Sequence, residues 1–210
     1  MPLTAKALAA RQRKQRVYLP AAVLFDRKSS YHGSGGEYRI FGDSHVVSMC
    51  YERPQRFEVH WAGSRTAHNL REHWAAFAPY IADDKLNLFN FGFIDVRGHI
   101  CGRLLPQAET AIIDTVGRYL DAVTAVTRRA AVVSVIPVSL ASPNGAVHDF
   151  WVQRFNAVAQ ERCASMGVLY IDVQPRWHAL RDRGGVYWWD NWHMNVEAGD
   201  AIYDVLGEVK

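Results

Sequence analysis

Tyr38-Arg39-Ile40-Phe41-Gly42-Asp43-Ser44-His45 is the stretch on which the reading of this chain turns. A short apolar, β-prone run stops at Gly-Asp-Ser, the local grammar of a serine presented at the end of a core strand. Glycine permits the sharp turn, and Asp43 can accept from backbone N–H groups just beyond it. Ser44 then stands where the next helix begins, beside unpaired N–H groups and a favourable dipole. Taken alone, the tripeptide reads more simply as a turn with an N-cap serine.

Far downstream, Trp189-Asp190-Asn191-Trp192-His193 shifts that balance. A carboxylate and an imidazole three residues apart can meet within one turn of chain, so the acid can fix the imidazole tautomer. With Ser44 they supply a nucleophile, a base and an orienting group, in the chain order Ser, Asp, His.

At these residues the sequence resembles the SGNH (GDSL-type) esterases and acyltransferases. The first block is Gly42-Asp43-Ser44-His45, with His45 where many members have Leu, and the last is Asp190-x-x-His193. Between them Gly63, in His60-Trp61-Ala62-Gly63-Ser64, lies where the family keeps its oxyanion glycine. The third block departs from the family's Gly-x-Asn-Asp. It reads Phe91-Gly92-Phe93-Ile94-Asp95-Val96-Arg97, so Ile94 replaces the oxyanion-binding Asn. A branch of the family associated with polysaccharide modification is similar here, with Phe-Gly-x-Ile-Asp-x-Arg. The resemblance runs from about residue 39 to the C-terminus, and its first and last blocks are the specific ones.

Outward from the serine, strand-like and helix-like segments alternate. Strands are expected at 38–41, 57–61, 86–96, 131–136 and 168–171, and helices at 67–82, 108–128 and 147–166. The first helix would carry Leu70, Trp74, Phe77 and Ile81 on its apolar stripe. The second would carry Ile112, Val116, Leu120 and Val123, and the third Val147, Trp151, Phe155 and Val158. A last helix capped by Asn195 would carry Val196, Ile202 and Val205. Residues 131–136 form an apolar run, broken only by Ser134 and stopped by Pro137, as a strand buried on both faces requires. The pattern predicts an α/β fold, a three-layer α/β/α sandwich with a mostly parallel central sheet, and the resemblance implies that it is SGNH-hydrolase-like and flavodoxin-like. Residues 1–37 read as a basic arm and lead-in loop, and 38–210 as one domain. Ser44, Gly63, and Asp95 with Arg97 each follow a strand end, where such sheets bind ligands.

Composition sets the outer bounds. A 210-residue chain that is 49% hydrophobic can bury one substantial core, and 21% charged residues argue against disorder. The net charge of +3 comes from the arm. Lys6, Arg11, Arg13, Lys14 and Arg16 leave, of 24 basic residues, 19 against 21 acidic ones in the body, so no nucleic-acid partner is expected. Cys50, Cys101 and Cys163 are isolated, with no CxxC, which indicates neither a disulfide framework nor a zinc knuckle. They suit buried apolar positions in a reducing compartment. The apolar run 17–25 follows basic residues but contains Pro20 and has no small-residue cleavage site, so the expected location is cytoplasmic. No run reaches the ~18–20 residues of a membrane span. None of the nine histidines forms HExxH, and His68 and His73 are five apart, off a common helix face; no metal and no cofactor are expected.

The chemistry expected is nucleophilic catalysis. His193 would take the Ser44 proton during attack, and Asp190 would orient the ring and stabilise the imidazolium. Backbone N–H groups of Ser44 and Gly63 would hold the oxyanion. A third donor is missing at Ile94; Arg97 and Asn90 are the neighbours, and the resemblance favours Arg97. Equally, Asp95 and Arg97 could form an ion pair that shapes the loop. His45 would line the pocket or sit at the surface at the helix start. Trp189 and Trp192 would offer aromatic faces to a sugar ring or an acyl chain, with Asp95 beside them; core packing is the plainer reading for Trp188 or Trp189. The resemblance implies a small-molecule or saccharide ester as substrate. Three functions follow: a serine esterase acting on O-acyl, chiefly O-acetyl, groups; a saccharide O-acyltransferase using the same triad; and a noncatalytic glycan-binding domain. Oligomeric state is left open.

Overall fold

Strand β2 (Tyr38–Gly42) is buried at every position except Arg39, the pattern of a strand covered on both faces. The computed structural model describes residues 30–62, 65–138, 144–182, 193–194 and 196–209. Around β2 lies a six-stranded sheet of order β1-β3-β2-β4-β5-β6. Its other strands are β1 (Ser30–His32), β3 (Phe57–Ala62), β4 (Asn87–Asn90), β5 (Ala130–Val133) and β6 (Leu169–Ile171). Strands β2 to β6 run parallel, and β1 closes one edge antiparallel to β3.

Helices flank the sheet, giving the α/β sandwich expected of the alternating pattern. They are α1 (Ser44–Cys50), α2 (Leu105–Thr124), α3 (Gly145–Met166), α4 (Gln174–Asp182) and α5 (Val196–Val209). Helix α1 packs on β3 and α5, while α2 packs on α3. Trp177 on α4 is fully buried, and its indole N–H donates to the Ala198 carbonyl on α5 at 3.0 Å. The predicted stripe of α2 is buried as expected. That of α3 is displaced: Val147 is 50% exposed, and the buried face runs through Trp151, Val152, Phe155, Asn156, Ala159 and Cys163. Cys50 and Cys163 are buried, Cys101 is partly so, and all three are free. Among the described residues no helix is long and apolar enough to cross a membrane.

Three segments differ from expectation, each for a local reason. Residues 67–82 form two 3₁₀ stretches, Leu70–Ala76 and Ala78–Tyr80, instead of one α-helix. Asp95 accepts the N–H groups of Ala67 and His68 and Asn69 that of Thr66, and the turns that follow close three residues apart, Glu72 N–H on the Asn69 carbonyl and Phe77 N–H on that of Trp74. Pro79 removes another donor further on. The strand expected over 86–96 ends at Asn90, and a helical turn Phe93–Asp95 runs into a π-helical turn, Val96–Ile100. In the expected lead-in loop, residues 30–32 add the edge strand, too short for any periodicity to announce. Asn195, the expected cap of α5, lies outside the described residues.

One polar cluster is packed among these strands. Glu58 on β3, 9% exposed, accepts from Arg39 Nε (3.1 Å), Lys85 Nζ (2.9 Å) and His60 Nε2 (3.1 Å). Burial pushes His60 down to about 4, so the neutral ring is the donor to the carboxylate.

Gly199 marks the tightest helix contact, for a Cβ there would lie 2.2 Å from the Met49 carbonyl oxygen of α1. By intrinsic propensity alone, Gly199→Ala in mid-helix should stabilise by about 1 kcal/mol. The contact reverses that sign: the substitution is expected to cost about 1–3 kcal/mol by overpacking, measured by urea denaturation. A more stable variant would refute this packing of α5 on α1.

Candidate active site

Ser44 owes its position to the residues on either side of it. A Cβ at Gly42 would sit 2.3 Å from Val46 Cγ1 and 2.6 Å from the Asn90 carbonyl oxygen, so the end of β2 can turn into α1 only with glycine there. Asp43 follows as the N-cap of α1, and its Oδ1 accepts the His45 backbone N–H at 2.9 Å. Strand order also reverses at β2: the chain passes to β3 on one side, then across to β4 on the other. The crevice outside the carboxyl ends of strands at such a reversal is where open α/β sheets hold ligands. Ser44 stands there, half-buried.

His193 comes to the same place from 149 residues downstream, with Ser44 Oγ 2.8 Å from its Nε2. With the ring proton on Nδ1, Nε2 accepts the serine hydroxyl, the geometry needed for proton removal during attack. His45, which sequence placed in a pocket wall or at the surface, is 3% exposed and belongs to the interior. Its Nδ1 is 2.7 Å from Asp43 Oδ1, and its ring centroid lies 4.2 Å from that of Phe93 and 4.7 Å from that of His193. Burial by itself would raise the Asp43 carboxyl. The His45 ring and N–H, together with the charge of nearby His193, outweigh burial and hold it below the ordinary carboxylate range. The sequence signal for this was present in the i, i+2 spacing of Asp43 and His45, but only the backbone course of α1 brings the ring round.

No protein-family model matches the chain, and no curated protein matches it by sequence. Solved structures do match it in three dimensions. A member of the lipolytic G-D-S-L family from Veillonella parvula is similar at 14% identity and a TM-score of 0.62, over 83% of this chain and 98% of its own. An acetylxylan esterase from Geobacillus stearothermophilus is similar at 12% identity and a TM-score of 0.58, over 84% and 94%. The phospholipase A1 of Streptomyces albidoflavus is similar at 13% identity and a TM-score of 0.55, over 83% and 99%. The chain has the fold of the SGNH/GDSL-type hydrolases.

On that fold, the other expected site residues divide into three groups. Asp190, Gly63, Trp189 and Trp192 lie outside the described residues. Asn90 and Asp95 are committed elsewhere. The Asn90 amide donates to the carbonyls of Ser134 (2.8 Å) and Val133 (3.4 Å), which ties the end of β4 to that of β5 and takes it away from any oxyanion. Asp95, 1% exposed, accepts the N–H groups of Ala67 (2.8 Å, Oδ2) and His68 (3.1 Å, Oδ1), so both carboxylate oxygens are engaged by backbone. Burial pushes this carboxyl up against those two donors. The ion pair foreseen with Arg97 is therefore replaced by a strap from β4 to the segment after β3. Arg97 itself is exposed on the π-helical turn, close enough to His148 for its charge to help burial lower that histidine.

A cleft of about 870 Å³ opens on the same side of the sheet. Its walls are the segment after β3, the π-helical turn and the start of α2, and Thr66, Asn69, His99, Arg103, Thr110 and Thr115 contribute polar groups. The Asp95 carboxylate forms part of its lining, while Ser44 and His193 do not. Nothing in the sequence groups these residues.

Replacing Asp95 by Ala would leave two buried backbone N–H groups without an acceptor. The expected loss is about 2–4 kcal/mol of unfolding free energy, read by denaturant titration; a loss below 1 kcal/mol would show that the strap carries little.

Proposed function

We propose that the protein is a serine esterase that removes O-acyl groups, most simply O-acetyl, from a saccharide through an acyl-enzyme. The observation that carries this reading is the 2.8 Å approach of Ser44 Oγ to His193 Nε2 at the switch point of a hydrolase-type sheet. A serine merely capping a helix has no need of an imidazole brought from the far end of the chain.

In this mechanism Ser44 Oγ attacks the ester carbonyl carbon as His193 accepts its proton. Asp190, three residues before His193, orients the ring and balances its charge. The oxyanion is held by the backbone N–H groups of Ser44 and Gly63, with Arg97 as the third donor in place of the Asn lost at Ile94; one such donor is worth on the order of 3 kcal/mol in the barrier. His193 then gives the proton to the departing sugar oxygen, water enters, and the same base activates it to release the acid.

The saccharide part of the reading rests on three supports. The similar structures include an acetylxylan esterase. Trp189 and Trp192 next to the acid would face the apolar sides of sugar rings. The cleft beyond Asp95 sets hydroxyl, amide, imidazole, guanidinium and carboxylate groups within a larger apolar surface that includes Ile100, Pro106 and Ala111, a mixture that the hydroxyls and apolar face of a sugar ring would match.

Nitrophenyl acetate should be hydrolysed by the purified protein, and a fluorophosphonate should label Ser44. Ser44→Ala is expected to lower hydrolysis at least 1000-fold and abolish labelling; hydrolysis that persists in this variant rejects the mechanism. Arg103→Ala separates the saccharide from the ester. It should raise KM for an acetylated oligosaccharide several-fold and leave nitrophenyl acetate kinetics unchanged, whereas equal effects on both would count against a saccharide in the cleft.

A further inference from the structure

We propose that Asp43 and His45 form a buried carboxylate–imidazole pair that positions the His193 ring over Ser44 and sets a fixed negative charge behind it. The inference rests on the esterase reading and adds to it a second acidic group, separate from Asp190.

Four contacts make the arrangement. Asp43 Oδ1 receives both the His45 backbone N–H and the ring Nδ1–H, at 2.9 and 2.7 Å. Those two hydrogen bonds to one oxygen fix the His45 ring in place. The ring is then wedged between Phe93 on one side and His193 on the other, tilted 31° to the latter with centroids 4.7 Å apart. His193 is thus held by Ser44 at Nε2 and packed against an immobilised ring.

A helix cap alone does not account for this. An N-cap carboxylate needs only one backbone N–H, and an exposed Asp, Asn or Ser would serve equally. Here the carboxylate is 2% exposed, and the residue that covers it is a second polar ring, also buried, where an aliphatic side chain would fill the space at less cost. The charge of His193 is among the influences that hold the Asp43 carboxyl below its ordinary range. Protonated His193 is the species formed when Ser44 attacks. The other groups acting on Asp43 are Asp95, beyond β4, and Tyr119 on α2; Asp190 is expected from the loop preceding His193. Asp43 and His45 touch neither substrate nor reacting atoms, and act as positioning residues.

The test exploits the fact that Asn caps a helix about as well as Asp. Asp43→Asn keeps the cap and removes the charge, so the melting temperature should stay within a few degrees. The His193 ring is titrated by NMR in the full chain carrying Ser44→Ala, with and without Asp43→Asn. The expected result is a midpoint lowered by about one pH unit or more when Asp43 is neutralised, in line with the effect of a nearby opposite charge. In the chain that retains Ser44, the acid limb of kcat/KM for nitrophenyl acetate should move down by the same amount, kcat should fall about tenfold or more, and KM should hold. A His193 midpoint within 0.2 pH units of the parent, measured to that precision (~0.2), overturns the proposal. Should Asp43→Asn not fold, His45→Gln is read instead, since it keeps a donor for Asp43 but removes the ring. The rate of Ser44 labelling by a fluorophosphonate should then drop at least tenfold, and an unchanged rate overturns the proposal. Absence of labelling in the unsubstituted protein would sink the esterase reading while leaving the His193 titration as a valid test of the pair.

Discussion

The Asp43 carboxylate is buried at the end of the inner strand β2, and it cannot stay there without donors. Removing a carboxylate from water costs several kcal/mol unless hydrogen bonds and opposite charge replace the solvent. The chain meets that demand locally. Helix α1 must begin at Ser44 for the His45 N–H to reach Oδ1, and its first turn must carry the His45 ring back over the same oxygen. The start of α1 in turn requires Gly42, because the Val46 side chain and the Asn90 carbonyl leave no room for a Cβ. The seating of α1 requires α5 to approach the Met49 carbonyl closely, which Gly199 permits. The position of Ser44 Oγ is therefore fixed by a sequence of close contacts spread over β2, α1, β4 and α5.

Elements whose structure follows from side-chain periodicity were legible before any coordinates. Strand β2 and the apolar stripe of α2 read directly, because each buries a continuous surface and has no polar group competing for its backbone. Residues 67–82 were misread for the opposite reason. Leu70 and Phe77 are buried as the helical spacing requires, yet the turns close three residues apart and Pro79 interrupts the run, neither of which apolar periodicity represents. Helix α4 escaped notice because of its residues only Trp177 is fully buried, and one apolar residue makes no pattern. At the site, Ser44 and His193 could be named from residue types and order. The inward rotation of His45 could not, since a histidine after a serine at a helix start is as compatible with solvent as with the interior.

Residues 91–97 shape the site without offering it a side-chain amide. In Gly92-Phe93-Ile94-Asp95 the apolar Ile94 can hold no oxyanion, but Asp95 ties the ends of β3 and β4 together through two backbone N–H groups, and Phe93 backs the His45 ring. Asn90, the nearest amide, spends its N–H groups on β5. What remains of this block acts on the shape of the site and on the seating of its imidazole, with no side-chain amide left to bind developing charge.

For an esterase, that has a consequence for where catalytic free energy originates. An oxyanion whose third donor is the exposed Arg97 side chain is held less rigidly at the reacting carbonyl than by a buried amide. Contacts to parts of the substrate far from the ester can compensate, provided they tighten as the transition state is approached, because remote binding energy can be used to orient the reacting groups. The cleft beyond Asp95 is placed to make such contacts, and the strap that Asp95 forms would transmit a shift there to the segment leaving β3. On this reading small activated esters use only the Ser44–His193 end of the machinery, while a substrate long enough to fill the cleft engages the rest.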